Sequence, residues 1–320
     1  MQIKQVVIWG HKLHTHTHSY IHNGFYVAFK HLNFKTLWLD DEDDVSLIDF
    51  TNSMFITEHY VNKRIPCRID CLYVSHYVDP TDYVGVPKEN IIILKMSERD
   101  FYEGDKDNNN PTYKYELLNY GQKFEYYANI NGYNCLYIYW ATDLLPFQID
   151  ENIRSLNEVK CQQCINFVGS MSRVWQACRI IAINAGIEFN NYGATFNKQS
   201  PNNISILKNA ELIKTSIISP ALQDIGQITN KYIPCRIFKN ISYGKMGMTN
   251  NPFVQELFDN KLLYDSNIMN LLNKGIQFEK QENKNEILTE LMEIVKNNHT
   301  YLNRINTIGL FIKNYTSFFL

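Results

Sequence analysis

The 320-residue sequence has no run of about 18 uncharged apolar residues, so no membrane-spanning helix is expected from it. It has no charge excess either: 31 Lys and Arg against 33 Asp and Glu leave a formal net charge of -2. A global basic field is therefore absent, and no nucleic-acid partner is expected. A disulfide framework is missing too, because the seven cysteines are odd in number and irregularly spaced. Reduced thiols and a cytoplasmic location follow as expectations. The opening apolar run, Val6-Val7-Ile8-Trp9, is too short for the core of a leader and ends in Gly10, so it reads as a first strand. The apolar tail 308–320 is interrupted by Lys313 and Asn314. It reads as an amphipathic closing helix, with no membrane contact expected.

What is present is a large capacity for burial: 45% of residues are hydrophobic and 20% charged. A chain of this length is expected to form two domains of roughly 150 residues each. Short apolar runs at 6–9, 36–39, 53–57, 71–75, 91–94 and 135–139 read as strands. Between the first two, Ser19 is positioned to cap a helix whose apolar face would be Ile21, Phe25, Ala28, Phe29 and Leu32. The acidic run 40–44 reads as solvated surface, and 103–113, with three consecutive asparagines and Pro111, as a loop. A second α/β pattern starts near Cys164, with strands at 164–168, 187–191, 215–218, 245–249 and 261–264. Helices are expected at 173–184, 231–241 and 252–258. The expected division is an N-terminal, acceptor-side domain over 1–150, a second domain over 151–300, and a closing helix over 301–320 that packs back on the first.

Three constellations offer chemistry. In Pro234-Cys235-Arg236-Ile237-Phe238-Lys239-Asn240-Ile241-Ser242-Tyr243-Gly244, a short helix is closed by glycine and followed by a strand and the polar turn Asn250-Asn251. Arg236, Lys239 and Asn240 fall about one turn apart, an arrangement suited to a phosphate and a ribose. The segment Gly10-His11-Lys12-Leu13-His14-Thr15-His16-Thr17-His18-Ser19-Tyr20-Ile21-His22 lies where the first strand gives way to the first helix. Histidine is the side chain best suited to act as a general base near neutral pH, and His16 or His18 is the candidate. Asp143, between a strand and Pro146, is a further candidate base or partner of the base; capping the turn before Pro146 is its structural alternative. No metal is expected: the histidine run has no local carboxylate or thiolate partner, and Cys161-x-x-Cys164 lacks a second pair at zinc-finger spacing. Cys164 is expected to pack in a strand.

Taken in order along the chain, these passages resemble the GT-B glycosyltransferases, specifically bacterial-type members with an Arg-x-Phe-Glu motif and a His-Thr-Tyr-x-x-Arg signature. Arg236-Ile237-Phe238-Lys239 resembles the first motif, with Lys239 where the family has glutamate, and His299-Thr300-Tyr301-Leu302-Asn303-Arg304 resembles the second. Phe167-Val168-Gly169-Ser170, with Arg173 just after it, resembles the first strand and glycine turn of the donor domain, and 210–224 the helix and strand before the sugar-contacting loop. The resemblance spans about residues 135–310. It implies an α/β fold of two Rossmann-like domains facing across a cleft, and transfer of a sugar, hexosyl or related, from a nucleotide-diphosphate sugar to a hydroxyl on a glycan or other acceptor. Such an enzyme serves glycan or polysaccharide synthesis. It further implies donor binding by Gly169, Ser170, Arg173, Arg236, Lys239, Asn240, Tyr243 and Asn250, with no metal or other cofactor required. Arg173 and Arg236 would grip the diphosphate bidentately and stabilise the leaving group; surface ion pairs for both arginines and a plain tight turn for Gly169 are the structural alternatives. Two other readings share the architecture: a sugar-nucleotide epimerase-like enzyme, and a non-catalytic protein that binds sugar nucleotides.

Overall fold

The computed structural model describes all residues except 13–16, 59–60, 77, 97–115, 119–121, 169–171 and 193–203, so the loop expected at 103–113 lies outside the described residues. The chain divides into two compact units. Met1–Leu13, Ile21–Tyr139 and Tyr301–Leu320 make up the first, and His14–Tyr20 and Trp140–Thr300 the second.

The first unit is built on an eight-stranded sheet. Its strands are β1 (Gln5–Trp9), β2 (Thr36–Leu39), β3 (Ser53–Glu58), β4 (Leu72–His76), β5 (Ile91–Lys95), β6 (Glu116–Leu117), β7 (Tyr126–Ile130) and β8 (Tyr133–Tyr137), with helix α1 (Thr17–His31) connecting β1 to β2. Their order is β2-β1-β3-β4-β5-β8-β7-β6. Pairing is parallel from β2 through β8 and antiparallel beyond. β1, β3 and β4 are buried along their whole length, as expected of parallel strands covered on both faces, which read as continuous apolar runs. Because the chain passes from β1 to β2 on one side and then to β3 on the other, the carboxyl ends of β1 and β3 flank a topological switch point. That is where open α/β sheets form a crevice.

Several sequence expectations are corrected here. Ser19 does not cap α1: it is buried inside the helix, which begins at Thr17, and Leu32 is exposed beyond the helix end. The acidic run is not simply solvated. Asp41 accepts a hydrogen bond from Trp9 Nε1 at 2.8 Å and from the backbone N–H groups of Lys63 and Arg64, and Asp40 accepts from Lys12 N. The run thus stitches the loops at the carboxyl edge of the sheet. The strand expected at 135–139 is β8, at Tyr133–Tyr137, and its hairpin partner β7 has no counterpart among the expected strands. The hairpin turns through Asn131 (φ 53°) and Gly132 (φ 86°), the residue pair whose left-handed conformations match the twist of a two-residue hairpin.

The final helix, Tyr301–Tyr315, buries Ile305, Ile308, Phe311 and Ile312 and belongs to the first unit. It is fastened by a fully buried ion pair between Arg304 and Glu125, N to O 3.3 Å. Arg304 Nε also donates to the carbonyl of Tyr139 at 2.8 Å, and its guanidinium lies 4.2 Å from the Tyr139 ring centroid. Glu125 is completed by Thr307 Oγ1 and by the backbone N–H of Gln122. Burial pushes the Glu125 carboxyl up, and the Arg304 charge opposes that shift.

The second unit contains α2 (Pro146–Arg154), β9 (Cys164–Val168), α3 (Arg173–Asn184), β10 (Glu188–Tyr192), α4 (Ile206–Thr215), α5 (Ile225–Thr229), α6 (Cys235–Ser242), β11 (Met248–Thr249), α7 (Pro252–Leu257), β12 (Leu263–Tyr264), α8 (Ile268–Phe278) and α9 (Lys284–Asn298). β9 pairs with β10 and β11 with β12, both in parallel, and Cys164 packs buried in β9. The strand expected at 215–218 is not one. α4 runs through Thr215, and the stretch after it makes scattered bonds instead of a ladder: Ile217 N to Cys164 O and Asn166 N to Ser216 Oγ on one side, Ala221 N to Met248 O on the other. Pro220 has no N–H to offer a ladder. The helix expected from 231 starts at Cys235, because Lys231 sits at φ 51° and Pro234 is extended. It ends in a Schellman turn at Gly244 (φ 82°), with Lys245 N donating to Asn240 O and Gly244 N to Ile241 O. That closure consumes the start of the strand expected at 245–249, which shrinks to 248–249.

Truncating one member of the buried ion pair leaves the other without its counter-charge. Arg304→Met is expected to lower unfolding free energy by about 3 to 5 kcal/mol. The double variant Arg304→Met/Glu125→Leu is expected to lose clearly less than the two single variants together, measured by urea denaturation.

Candidate functional site

In the second unit, the helix α6 gathers the positive charge. Arg236 lies on its first turn, with the guanidinium 5.1 Å from the Phe167 ring centroid and 5.3 Å from that of Trp175. Those two rings stack on each other at 3.9 Å. Nearly equidistant from both centroids, the cation lies alongside the stacked pair, where the ring π-systems contribute to its stabilisation. Burial lowers the Arg236 pKa from its usual value, and the groups that act on its charge are Cys235 and Tyr232, neither of them a carboxylate. One turn later, Lys239 is buried with its ammonium 3.8 Å from the Tyr20 ring centroid. Among the described residues neither cation has a carboxylate within ion-pair distance.

Around this helix the other anticipated residues are differently employed. Asn240 Nδ2 donates to Ser219 O at 2.6 Å. Asn250 clamps the backbone of Gln223 from both sides, accepting from its N–H at 2.9 Å and donating to its carbonyl at 2.8 Å. Both amides thereby fix loops. Tyr243, at the end of α6, donates its hydroxyl to Asp143 Oδ2 at 3.1 Å. Burial and the Asp143 charge raise the Tyr243 pKa well above its usual value, so the phenol stays protonated and remains a donor. Asp143 Oδ1 is buried with no hydrogen-bond partner among the described residues, a lone-pair site available for an acidic hydrogen. Arg173 opens α3 as an exposed residue. His18 lies half-buried in the first turn of α1, whereas His16, Gly169 and Ser170 lie outside the described residues.

In the first unit, a second group forms at the carboxyl edge of the sheet, and sequence reasoning missed most of it. Directly after β1 the chain turns through Gly10 (φ 92°) and His11 (φ 61°). A Cβ on Gly10 would lie 2.3 Å from Val61 Cγ2, so only glycine fits. The Gly10 carbonyl accepts from His22 Nδ1 at 2.8 Å and from Trp38 Nε1 at 3.0 Å. His11 Nε2 stands 2.5 Å from Glu58 Oε2, and His76 Nε2 stands 3.4 Å from His22 Nε2. All four side chains are buried. Glu58 and His76 are the last residues of β3 and β4. The signal that points to them is a polar residue ending an otherwise apolar strand at the edge where such sheets bind ligands. His22, Glu58 and His76 bring ligand atoms within 4.8 Å of one another.

The Gly10 turn supports both β1 and the histidine group, so Gly10→Ala is expected to cost about 2 to 4 kcal/mol through side-chain overlap and backbone strain. Adding Val61→Ala should recover only the overlap part, read as a partial return of the thermal midpoint.

No protein-family model matches the chain, and no curated protein matches it in sequence. Among the described residues no helix is long and apolar enough to cross a membrane. Similar solved structures do exist. A UDP-forming α,α-trehalose-phosphate synthase from Burkholderia xenovorans, in complex with glucose-6-phosphate, aligns over 91% of this chain and 78% of that one at 9% identity and TM-score 0.49. An α-glucosyltransferase in complex with UDP and a 13-mer DNA containing an HMU base aligns over 96% of this chain and 98% of that one, at 8% identity and TM-score 0.54. With its large mixed sheet in one unit and parallel strand pairs in the other, the chain has the α/β fold of the GT-B class, built of two Rossmann-like domains.

Proposed function

We propose that the chain is a glycosyltransferase that moves a sugar from a nucleotide-diphosphate sugar to an acceptor hydroxyl. The observation that carries this reading is the pair of cations on α6: Arg236, beside the stacked rings of Phe167 and Trp175, and buried Lys239, with no carboxylate to neutralise either among the described residues. Buried positive charge without an internal counter-charge is costly, and a diphosphate supplies the missing anion. Arg173, at the start of α3, is a third cation for the same group.

In the transfer step the acceptor oxygen forms a bond to the anomeric carbon while the bond from that carbon to the β-phosphate oxygen breaks. The electron pair leaves with the nucleoside diphosphate, whose growing charge Arg236 and Lys239 stabilise. The acceptor proton passes to a base. Asp143 Oδ1 is the proposed base, with Tyr243 holding the other oxygen and so fixing the carboxylate's orientation. His18 is the alternative on the same unit. The reading requires no metal for this step. A glycan and a DNA containing an HMU base are the acceptors to compare, the second because a similar α-glucosyltransferase was captured with UDP and such a DNA.

The test is thermal stabilisation by UDP-, GDP-, CMP- and dTDP-sugars, followed by transfer assays with the donor that stabilises. Arg236→Ala is expected to abolish the stabilisation while leaving the unliganded thermal midpoint within a few degrees. If stabilisation persists in Arg236→Ala, the diphosphate binds elsewhere. Asp143→Asn is expected to keep donor-dependent stabilisation and to lose about 100- to 10,000-fold in kcat. Donor binding by the parent chain with no transfer to any acceptor and no free sugar released would identify a binding protein instead.

A further inference from the structure

We propose that His22, His76 and Glu58 form a binding site for one divalent transition-metal ion of the zinc class, set in the first unit at the carboxyl edge of its sheet. The proposal is independent of the sugar-transfer reading, because it rests on a different group of residues.

The geometry of the two imidazoles carries it. The Gly10 carbonyl can only accept, so His22 Nδ1 is the N–H donor in their 2.8 Å bond, and the lone pair of a neutral ring then sits on Nε2. A backbone carbonyl on the far ring nitrogen is the arrangement that orients metal-bound histidines and fixes their tautomer. His22 Nε2 faces His76 Nε2 at 3.4 Å, with the two rings nearly perpendicular at 88°. Two nitrogens each about 2.05 Å from one tetrahedral ion are separated by about 3.3 Å, a spacing that the observed 3.4 Å contact matches without rearrangement of the rings. Glu58, His22 and His76 each bring one ligand atom within 4.8 Å of the others, and Glu58 Oε2 lies beside His11 Nε2 at 2.5 Å. His11 is then placed to orient the carboxylate from outside, or to be a fourth ligand.

Charge and burial agree with this. His22 and His76 are fully buried, and Glu58 is 5% exposed, so a carboxylate and two imidazoles have been withdrawn from water together. A divalent ion would add to the charge compensation that His11 gives Glu58, and a mixed imidazole and carboxylate set suits zinc, cobalt, nickel or copper better than magnesium or calcium. The ligands come from α1, β3 and β4, so one ion would join three elements around the Gly10 turn.

Chelator-stripped protein titrated with Co2+ is expected to develop the visible absorption bands of a tetrahedral site at one equivalent per chain, and Zn2+ is expected to displace them. His76→Gln and Glu58→Gln should each weaken cobalt binding at least about 100-fold, no less than is typical for loss of an outer-shell partner. His31→Gln, at the exposed end of α1, should leave it unchanged. Should either ligand variant fail to fold, nitrogen-15 NMR of the parent chain decides: Zn2+ must move two histidine Nε2 resonances to metal-bound positions. Absence of stoichiometric cobalt binding, equal affinity in His76→Gln, or a His22–His76 hydrogen bond that Zn2+ does not perturb would each overturn the proposal.

Discussion

A guanidinium and a carboxylate removed entirely from water, Arg304 and Glu125, hold the first unit together at the edge of its sheet. Such a pair is tolerable only when each partner's remaining hydrogen-bonding capacity is met. Here the Tyr139 carbonyl takes the Nε donor, the Tyr139 ring covers the cation, and Thr307 and Gln122 N complete the carboxylate. Because Tyr139 is the last residue before the chain leaves this unit and Arg304 lies in the first turn after it returns, one side chain joins departure and return. The apolar face of the final helix, Ile305, Ile308, Phe311 and Ile312, adds area to that fixed point but does not set its register.

The same logic of internal satisfaction separates the anticipated donor residues. Asn240 and Asn250 have their amides committed to backbone groups of Ser219 and Gln223, and they shape the loops between strands. Arg236 and Lys239 have aromatic rings for company and, among the described residues, no carboxylate within ion-pair distance. Asp143 is intermediate, with one oxygen bound by Tyr243 and the other without a partner among the described residues. A polar group already spent inside the fold contributes shape, whereas one left unspent contributes chemistry.

How much of this could be read from the sequence depends on whether the determining contacts are local. β1, β3, β4, β5 and β9 declare themselves because buried parallel strands carry apolar runs through most of their length. α3 declares itself through the spacing of Trp175, Cys178 and Ala182. β7, with the sequence YYANI, shows no such run, and only the Asn131-Gly132 turn betrays it. The apolar stretch 215–218 looks like a strand, but α4 claims Thr215 and Pro220 withdraws a donor. The histidine group was only half legible. His11 and His22 lie in a visibly histidine-rich segment, but Glu58 and His76 are 36 and 54 residues from His22, and only the β1-β3-β4 order of the sheet brings them together. A search for local spacing therefore finds no carboxylate near the histidines, while the fold supplies one.

The first unit is discontinuous along the chain. Its N-terminal residues pair with its last ones: Ile3 N donates to Phe319 O, Phe319 N donates to Met1 O, and Gln2 bridges Phe319. During synthesis, a ribosome that has already released β1 to β8 cannot yet deliver the helix that seals them. The second unit, almost entirely one uninterrupted stretch, emerges whole before that helix does. The first unit therefore cannot close until residues 301–320 follow the second unit, and its sheet waits unsealed while residues 140–300 are made.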